Sequence, residues 1–415
     1  MKSVAVIGAG AAGLIAGAFA GRGGCRVEII DGNEKAGKKL FLTGKGRCNI
    51  TNAAEQDEFM KAIVHNGRFL YSAFDSFFNN DIIDIINAHG VRTKLERGGR
   101  YFPQSDKSSD VIRALVTFAN ENGAMLKLNS KVANITKTDD RFEIVTEHGE
   151  RSYFDAVILA TGGRSYSSTG STGDGYRFAE QFGHKVVTPK PSLIPFVTEE
   201  EWPRELMGLS LKNVTLRAYK KPSSAVKRKP APIFEELGEL LFTHFGVSGP
   251  LVLSASACLA DDPAGAHLEL DLKPGLTHEQ LDARVLRDFD KFKHKQVQNA
   301  MQELLPHRMI PKVLENADVE SEKSVDNLTR EERLRIILTL KCMPMTVRAV
   351  RPIEEAIITR GGVSVKEVNP ATMESKLIPG LYFAGELLDV DGCTGGYNLQ
   401  IAWSTGAAAG RAVSE

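Results

Sequence analysis

The sequence predicts an α/β fold in which a doubly wound, Rossmann-like domain is interrupted by an inserted domain. Three observations predict it: a strand, glycine turn, helix and strand within residues 4–31; a proline-rich stretch of alternating segments from Pro189 to Pro274; and a buried strand ending in glycine at 380–385. The 415 residues also exceed the ~250 to 300 at which one core usually stops growing. We therefore expect the two ends of the chain to build one domain and the middle to build another.

The amino-terminal pattern has the order of a βαβ unit. Residues 4–7 form a continuous apolar run, which indicates a strand buried on both faces, as in a parallel sheet. Glycines follow, then a helix that carries Leu14 and Phe19, then a second strand that ends at Asp31. The apolar run 155–160, which also ends in a glycine-rich turn, is predicted to be a later strand of the same sheet.

The middle of the chain changes periodicity. Segments such as 214–218 and 268–272 alternate apolar and polar residues, which predicts antiparallel strands. Thr277 and Thr329 each open a capping-box pattern, which predicts two helices. The predicted domains are the FAD-binding domain, first part (1–187), the inserted β-barrel-like domain, first part (188–275), a small helical domain (276–340), the return of the β domain (341–355), and the FAD-binding domain, second part (356–415).

Composition excludes several classes of protein. The 52 basic and 52 acidic residues cancel, which argues against a nucleic-acid partner, and no apolar run approaches the ~18 residues of a membrane span. We therefore expect a small-molecule substrate, with neither nucleic acid nor membrane as a partner, and the oligomeric state stays open. The five cysteines include no CxxC pair for a disulfide framework or a metal, which favours a reducing cytoplasm.

The first glycine turn carries a dinucleotide-binding pattern. Gly8, Gly10 and Gly13 stand in GxGxxG spacing between the strand and the helix, and Asp31 follows 18 residues after Gly13. The second glycine lets backbone N–H groups approach a pyrophosphate, and the acidic residue accepts the ribose hydroxyls. The alternative, an ordinary glycine turn with a surface aspartate, explains fewer of these features.

Two further motifs favour FAD over NAD. Residues 381–386, ending in Gly385 and Glu386, resemble the second flavin motif of flavoproteins with two dinucleotide-binding domains, and Ala160-Thr161-Gly162 resembles their central ATG motif. Downstream, 392–400 precede a helix of small residues whose first N–H groups would face the negative charge of a reduced flavin; the alternative is that these glycines serve helix packing only.

The segment 37–52 is the least generic in the chain. Lys39 and Arg47 offer positive charge to the pyrophosphate, and the glycines, Gly46 among them, permit backbone approach to the flavin ring. Cys48 is either redox active or packs beside the flavin, and the lack of a partner cysteine favours packing.

Four segments together resemble the bacterial YhiN-type flavoproteins: 38–52, 160–183, 240–250 and 359–406. That family includes aminoacetone oxidases and enzymes that reduce 3-oxo bile acids with conjugated double bonds. The resemblance spans nearly the whole chain and implies a FAD domain of the two-dinucleotide-binding type, a β-barrel-like insertion and a small helical domain. Motifs and resemblance together predict FAD contacts at Gly8, Gly10, Ala12, Gly13, Asp31, Lys39, Gly46, Arg47, Cys48, Val132, Ala160, Thr161, Gly162, Gly385, Glu386, Gly396, Asn398 and Leu399.

Three residues are candidates for catalysis. His244, in the 241–250 segment of the insertion, titrates near neutrality and suits proton transfer; Tyr397 is a rival proton donor, and a structural role for His244 is also open. Cys48 is the third, if it is redox active.

The sequence therefore predicts a FAD-dependent oxidoreductase that transfers hydride at flavin N5. No second GxGxxG unit exists, so NAD(P)H would have to visit the active site itself, and oxygen is the alternative oxidant. A fumarate-reductase-like or aspartate-oxidase-like enzyme is the first alternative, because Thr172-Gly-Asp-Gly175 resembles that group. A flavin-bearing RNA-modifying or scaffold protein that uses the basic segment 220–229 ranks last.

Overall fold

A computed structural model describes residues 1–221 and 230–415, so most of the basic segment 220–229 lies outside the described part of the chain. The chain forms two compact units, one built from Met1–Ser192 and Pro352–Glu415, the other from Leu193–Arg351. Within the described ranges, no helix is both long enough and apolar enough to cross a bilayer.

The described residues of the first unit form one five-stranded sheet, several smaller sheets and eight α-helices. Its strands are β1 Ser3–Ile7, β2 Arg26–Ile30, β3 Thr51–Asn52, β4 Thr93–Glu96, β5 Arg100–Pro103, β6 Ala124–Lys127, β7 Val132–Thr138, β8 Arg141–Thr146, β9 Arg151–Phe154, β10 Ala156–Leu159, β11 Val186–Ser192, β18 Ile358–Val363 and β19 Leu381–Phe383. Its helices are α1 Ala11–Arg22, α2 Lys38–Gly46, α3 Gln56–Lys61, α4 Tyr71–Ser76, α5 Asn79–Ala88, α6 Ser108–Glu121, α7 Asp174–Gln181 and α14 Tyr397–Ala412.

The central sheet of this unit is parallel and has the order β19-β10-β1-β2-β6. Every residue of β1 and of β10 is buried, which explains why both strands are apolar without alternation. The ends of neighbouring strands are level: the Gly8 amide donates to the Ile30 carbonyl at 2.8 Å, and the Ala384 amide donates to the Leu159 carbonyl at 2.9 Å. The carboxyl ends of four strands therefore form one continuous edge.

The two ends of the chain meet in this unit, because α1 and α14 pack directly on each other. A Cβ added to Gly406 would lie 2.5 Å from the Ala12 carbonyl oxygen, and one added to Gly410 would lie 2.3 Å from that of Ala16. Only small residues permit backbones to approach so closely. The discontinuous Rossmann-like domain predicted from the sequence is therefore confirmed.

The second unit contains a closed barrel of six strands in the order β12-β15-β14-β13-β16-β17 and a set of helices. Its strands are β12 Phe196–Thr198, β13 Ser210–Tyr219, β14 Phe234–Thr243, β15 Gly246–Ser248, β16 His267–Asp271 and β17 Met343–Val350. Its helices are α8 Trp202–Glu205, α9 Pro250–Leu259, α10 His278–Lys291, α11 Val297–Ala300, α12 Ile310–Asn316 and α13 Arg330–Lys341. Both predicted capping boxes are present, at Thr277 before α10 and at Thr329 before α13. The predicted β-barrel-like insertion with a helical part is thus confirmed.

Candidate functional site

In the turn after β1, a side chain would find open space at Gly10 but no space at Gly13. A Cβ on Gly13 would lie 1.8 Å from the Gly8 carbonyl oxygen, whereas a Cβ on Gly10 would meet no atom within 4 Å. Gly10 is the N-cap of α1, and neither a capping side chain nor an acidic residue in the first turn satisfies the first N–H groups of that helix. These N–H groups therefore face an open space beside Gly10, which suits an anion such as a pyrophosphate.

Asp31 lies at the end of β2, beside this turn. Its carboxylate accepts a hydrogen bond from the Ala9 amide at 2.7 Å and another from the Asn33 amide at 2.8 Å. Asn33 Nδ2 also donates to Oδ1 at 2.9 Å, so these bonds hold the carboxylate against the glycine turn and leave Oδ2 able to accept a further donor. The position fits the predicted role at a ribose.

Glu386 follows β19 and forms a partly buried cluster with residues from distant segments. Lys39 Nζ lies 2.6 Å from Glu386 Oε2 and 2.7 Å from Ser165 Oγ, and the Thr359 amide donates to Glu386 Oε1 at 2.9 Å. Because β19 and β2 are separated by three strand spacings, Glu386 and Asp31 lie on the same sheet edge, about 14 Å apart along it. The predicted sites at the two ends of the chain thus share one edge of one sheet.

Asn398, in the first turn of α14, holds the preceding loop by hydrogen bonds to Gly392. Its Oδ1 accepts from the Gly392 amide at 2.9 Å, and its Nδ2 donates to the Gly392 carbonyl at 2.8 Å. Gly396, with φ +100°, is the N-cap of α14, and a Cβ there would lie 2.5 Å from the Thr51 carbonyl oxygen, so only glycine fits. Tyr397 packs edge-on against Phe59 at 4.6 Å between ring centroids. Gly396 therefore serves close packing of the start of α14 against the segment 37–52.

Several buried polar atoms lack a hydrogen-bond partner among the described residues, and two of them belong to or adjoin predicted FAD contacts. They are Thr161 Oγ1, just after β10, and Asn49 Oδ1, in the segment 37–52. Buried polar atoms are normally satisfied, so a polar ligand is a natural partner for both. With the space at Gly10, this observation shows that the residues present fit a bound FAD.

Other predicted residues lie elsewhere or have different partners. Arg47 pairs with Glu96 and with Asp106 Oδ1 at 2.6 Å, and its guanidinium lies 4.1 Å from the Phe102 ring centroid, so its charge is already engaged. Val132 is buried at the start of β7. His244 is exposed in the second unit, in the turn between β14 and β15. Its catalytic role stays a prediction, as does that of Tyr397. The remaining predicted contacts lie on the site segments already described: Ala12 in α1, Gly46 at the end of α2, Ala160 and Gly162 after β10, Gly385 after β19, and Leu399 in α14.

The sequence analysis missed a buried ion pair directly before the 392–398 loop. Arg360 Nε donates to Asp391 Oδ1 at 2.8 Å, Ser192 Oγ donates to Asp391 Oδ2 at 2.7 Å, and Asp391 is fully buried. Asp389, two residues before Asp391, has a partner from a distant segment. Its Oδ1 lies 3.1 Å from His65 Nε2, and this contact raises the pKa of His65. Asp389 and Asp391, which directly precede a glycine-rich motif, were a visible signal in the sequence. Their partners, which are far away along the chain, were not.

Cys48 is completely buried, and burial raises the pKa of its thiol to about 12. Because the thiolate is the reactive form and falls tenfold for each pH unit below the pKa, only about one thiol in ten thousand is ionised at pH 8. We expect a maleimide to leave Cys48 unlabelled in the native protein at pH 8 while the half-buried Cys258 and Cys342 react, as measured by peptide mass spectrometry. Labelling of Cys48 as fast as the other two would contradict this burial.

Comparison with known proteins identifies the family. Residues 2–412 match the family described as HI0933-like protein Rossmann domain. The chain is 31% identical over 401 residues to the ribosomal RNA dihydrouridine synthase of Escherichia coli K12, covering 96% of this chain and 95% of that protein. It is 30% identical over 423 residues to the 3-dehydro-bile acid delta(4,6)-reductase of Clostridium scindens, covering all of both.

A solved structure shows the same fold. It is the 3-ketosteroid delta1-dehydrogenase of Sterolibacterium denitrificans, with a TM-score of 0.51, 14% identity and full coverage of both chains. The resemblance stated from the sequence motifs is confirmed by the family match. The chain therefore belongs to the HI0933-like family of Rossmann-domain proteins.

Proposed function

We propose that this protein is a FAD-dependent reductase of a carbon–carbon double bond conjugated to a carbonyl group, and that its substrate is a uridine of ribosomal RNA. The observation that carries the proposal is the pair of full-length relatives at 31% and 30% identity. Dihydrouridine is uridine with its ring double bond reduced, and that bond is conjugated to a carbonyl. A delta(4,6)-reductase of a 3-dehydro bile acid acts on the same arrangement. The names of both relatives therefore describe reduction of a carbon–carbon double bond conjugated to a carbonyl group.

The residues at the sheet edge have distinct tasks in this proposal. When bound, FAD supplies the hydride that reaches the double bond. The N–H groups at the start of α1 hold the pyrophosphate, and Asp31 holds the adenosine ribose. The partly buried Lys39–Glu386 pair orients the part of the FAD near the pyrophosphate. The N–H groups at the start of α14 would stabilise the negative charge of a reduced flavin.

Reduction also needs a proton for the second carbon of the double bond. The chain offers Tyr397 Oη at the start of α14 and the imidazole of His244 in the second unit. NAD(P)H is the proposed source of the two electrons, and it visits the site in alternation with the substrate. Ribosomal RNA as the substrate places the reaction in the cytoplasm, the compartment that the cysteine pattern favours.

A 3-oxo steroid with conjugated double bonds is the second candidate substrate, because the Clostridium scindens relative is matched along its whole length. An aminoacetone oxidase would instead deliver its electrons to oxygen. These readings differ in what reoxidises the enzyme after reduction by NADH or NADPH.

In the test, the enzyme is reduced anaerobically with NADPH or NADH and then mixed separately with each of three oxidants. They are deproteinised ribosomal RNA from cells lacking the gene, a 3-oxo-4,6-diene bile acid, and dissolved oxygen. We expect flavin reoxidation by the RNA, with nucleoside mass spectrometry showing uridine that has gained two hydrogen atoms. Fast reoxidation by the bile acid alone would assign the steroid, and fast reoxidation by oxygen alone would contradict a reductase.

A further inference from the structure

Positive charge is concentrated in two segments of the first unit. Residues 35–52 and 92–107 carry ten lysines and arginines and only two carboxylates, a formal charge of +8 in a chain whose total is zero. Lys38 and Lys39 are paired with Glu34 and Glu386, which lie outside these segments, so a formal charge of +6 remains in a chain of neutral total. Such an asymmetry raises the local concentration of a polyanion.

The two segments adjoin in the fold, because the β4–β5 hairpin packs on α2 and its following turn. Arg47 Nη2 lies 2.6 Å from Asp106 Oδ1, Lys94 Nζ lies 2.7 Å from Asp106 Oδ2, and Arg47 also pairs with Glu96. Both carboxylates of the region are thus already engaged. The other basic side chains here include Lys45, Arg92 and Lys107, which are exposed and have no ion-pair partner in the part of the chain that the structure describes.

We call this surface the basic face; it consists of Lys45, Arg92, Arg97, Arg100 and Lys107. An exposed aromatic ring lies in the same region, because Phe41 in α2 is 51% exposed. Ser108 Oγ donates to the Phe41 carbonyl at 2.9 Å. Helix α2, which carries Phe41, therefore lies beside the residue that follows Lys107. Single-stranded RNA is bound by such a combination, in which cations contact phosphates and rings stack on bases.

The basic face is joined directly to the loop before α14. Asn52 Nδ2 donates to the Gly98 carbonyl in the hairpin turn at 3.0 Å and to the Gly395 carbonyl at 3.0 Å. One side chain thus bridges the tip of the basic hairpin and the loop that opens α14. The hairpin tip therefore adjoins the loop that opens α14.

We propose that the basic face binds the phosphate backbone of ribosomal RNA and so positions an unpaired uridine at the site near the start of α14. This proposal depends on the proposed function, because it names the surface by which that substrate is held. Phosphate contacts of this kind position the RNA without reading its sequence. A steroid would have no use for such a surface.

The test compares two triple variants with equal charge change. Arg92→Gln/Arg100→Gln/Lys107→Gln removes three of the five positive charges of the basic face, and Lys2→Gln/Lys61→Gln/Lys366→Gln removes three from exposed lysines elsewhere in the same unit. Filter binding with end-labelled, deproteinised ribosomal RNA from cells lacking the gene gives the affinity from 50 to 300 mM salt. Loss of three phosphate contacts should lower the slope of log affinity against log salt by about 2, and the affinity by about tenfold or more. The control variant should bind as the wild type does.

The outcomes separate the surface from the function. Equal RNA affinity and equal dihydrouridine formation in the two triple variants would overturn the basic face and leave the proposed function standing. Absence of RNA binding and RNA reduction in the wild type, with turnover of the bile acid, would overturn both. Binding to phosphatidylglycerol vesicles that the basic-face variant loses, without RNA binding, would assign the face to a membrane and overturn this proposal. Unchanged flavin content in both variants shows that folding is intact.

Discussion

A Gly10→Val variant should purify without flavin, although its apoprotein should be as stable as the wild-type apoprotein. The side chain at this position would meet no protein atom within 4 Å, and the backbone (φ −87°, ψ −164°) is one that valine adopts readily. The added methyl groups would instead occupy the space in which the pyrophosphate lies against α1. We expect the dissociation constant for FAD to rise at least about a hundredfold, which corresponds to about 2.7 kcal/mol.

The matched control is Gly275→Val in the second unit, where a Cβ also meets open space and no positive φ is required. That variant should retain flavin at the wild-type ratio. Absorbance near the flavin band gives the ratio, and thermal unfolding of both apoproteins gives stability. Wild-type FAD affinity in Gly10→Val would show that the cofactor does not lie at this turn.

An Arg360→Met variant should lose about 3–5 kcal/mol of stability. Asp391 is fully buried, and the guanidinium of Arg360 makes two hydrogen bonds to its carboxylate, at 2.8 and 3.1 Å. Without Arg360, the Asp391 carboxylate is left charged in a medium of low polarity, which is unfavourable. Of the contacts described above, only the hydrogen bond from Ser192 Oγ then remains. Urea denaturation measures the loss, and the midpoint should fall without a change in slope.

Two further variants show whether the lost stability comes from the unpaired charge. Arg360→Met/Asp391→Leu removes both charges and should recover most of the loss, since a pair of apolar groups carries no desolvation cost. Lys61→Met breaks the exposed pair with Glu58 and should leave the midpoint unchanged. An Arg360→Met protein as stable as the wild type would contradict the buried pair.

Local patterns account for what the sequence predicted correctly. The β1 strand, the glycine turn and α1 are contiguous, and each has a sequence signal of its own: burial on both faces, GxGxxG spacing and a small-residue helix. The capping boxes at Thr277 and Thr329 need only four residues each, and both begin helices in the structure. Such signals depend on neighbours in the chain, so one sequence suffices to read them.

Pairs of residues that are distant in the chain account for what the sequence did not predict. Lys39 and Glu386 are 347 residues apart, and the motif analysis named both without indicating that they touch. Arg360 stands in an ordinary strand, and nothing local marks it as the partner of Asp391. The basic face was hidden for another reason, because total charge says nothing about how charge is distributed over the surface.

The most direct test of the account is a calorimetric titration of the apoprotein with FAD. The account predicts saturable binding of one FAD per chain in the wild type and in Gly275→Val, with binding weakened about a hundredfold or more in Gly10→Val. Absence of saturable binding in the wild type, or equal binding in all three proteins, would contradict a flavin site at the carboxyl edge of the parallel sheet.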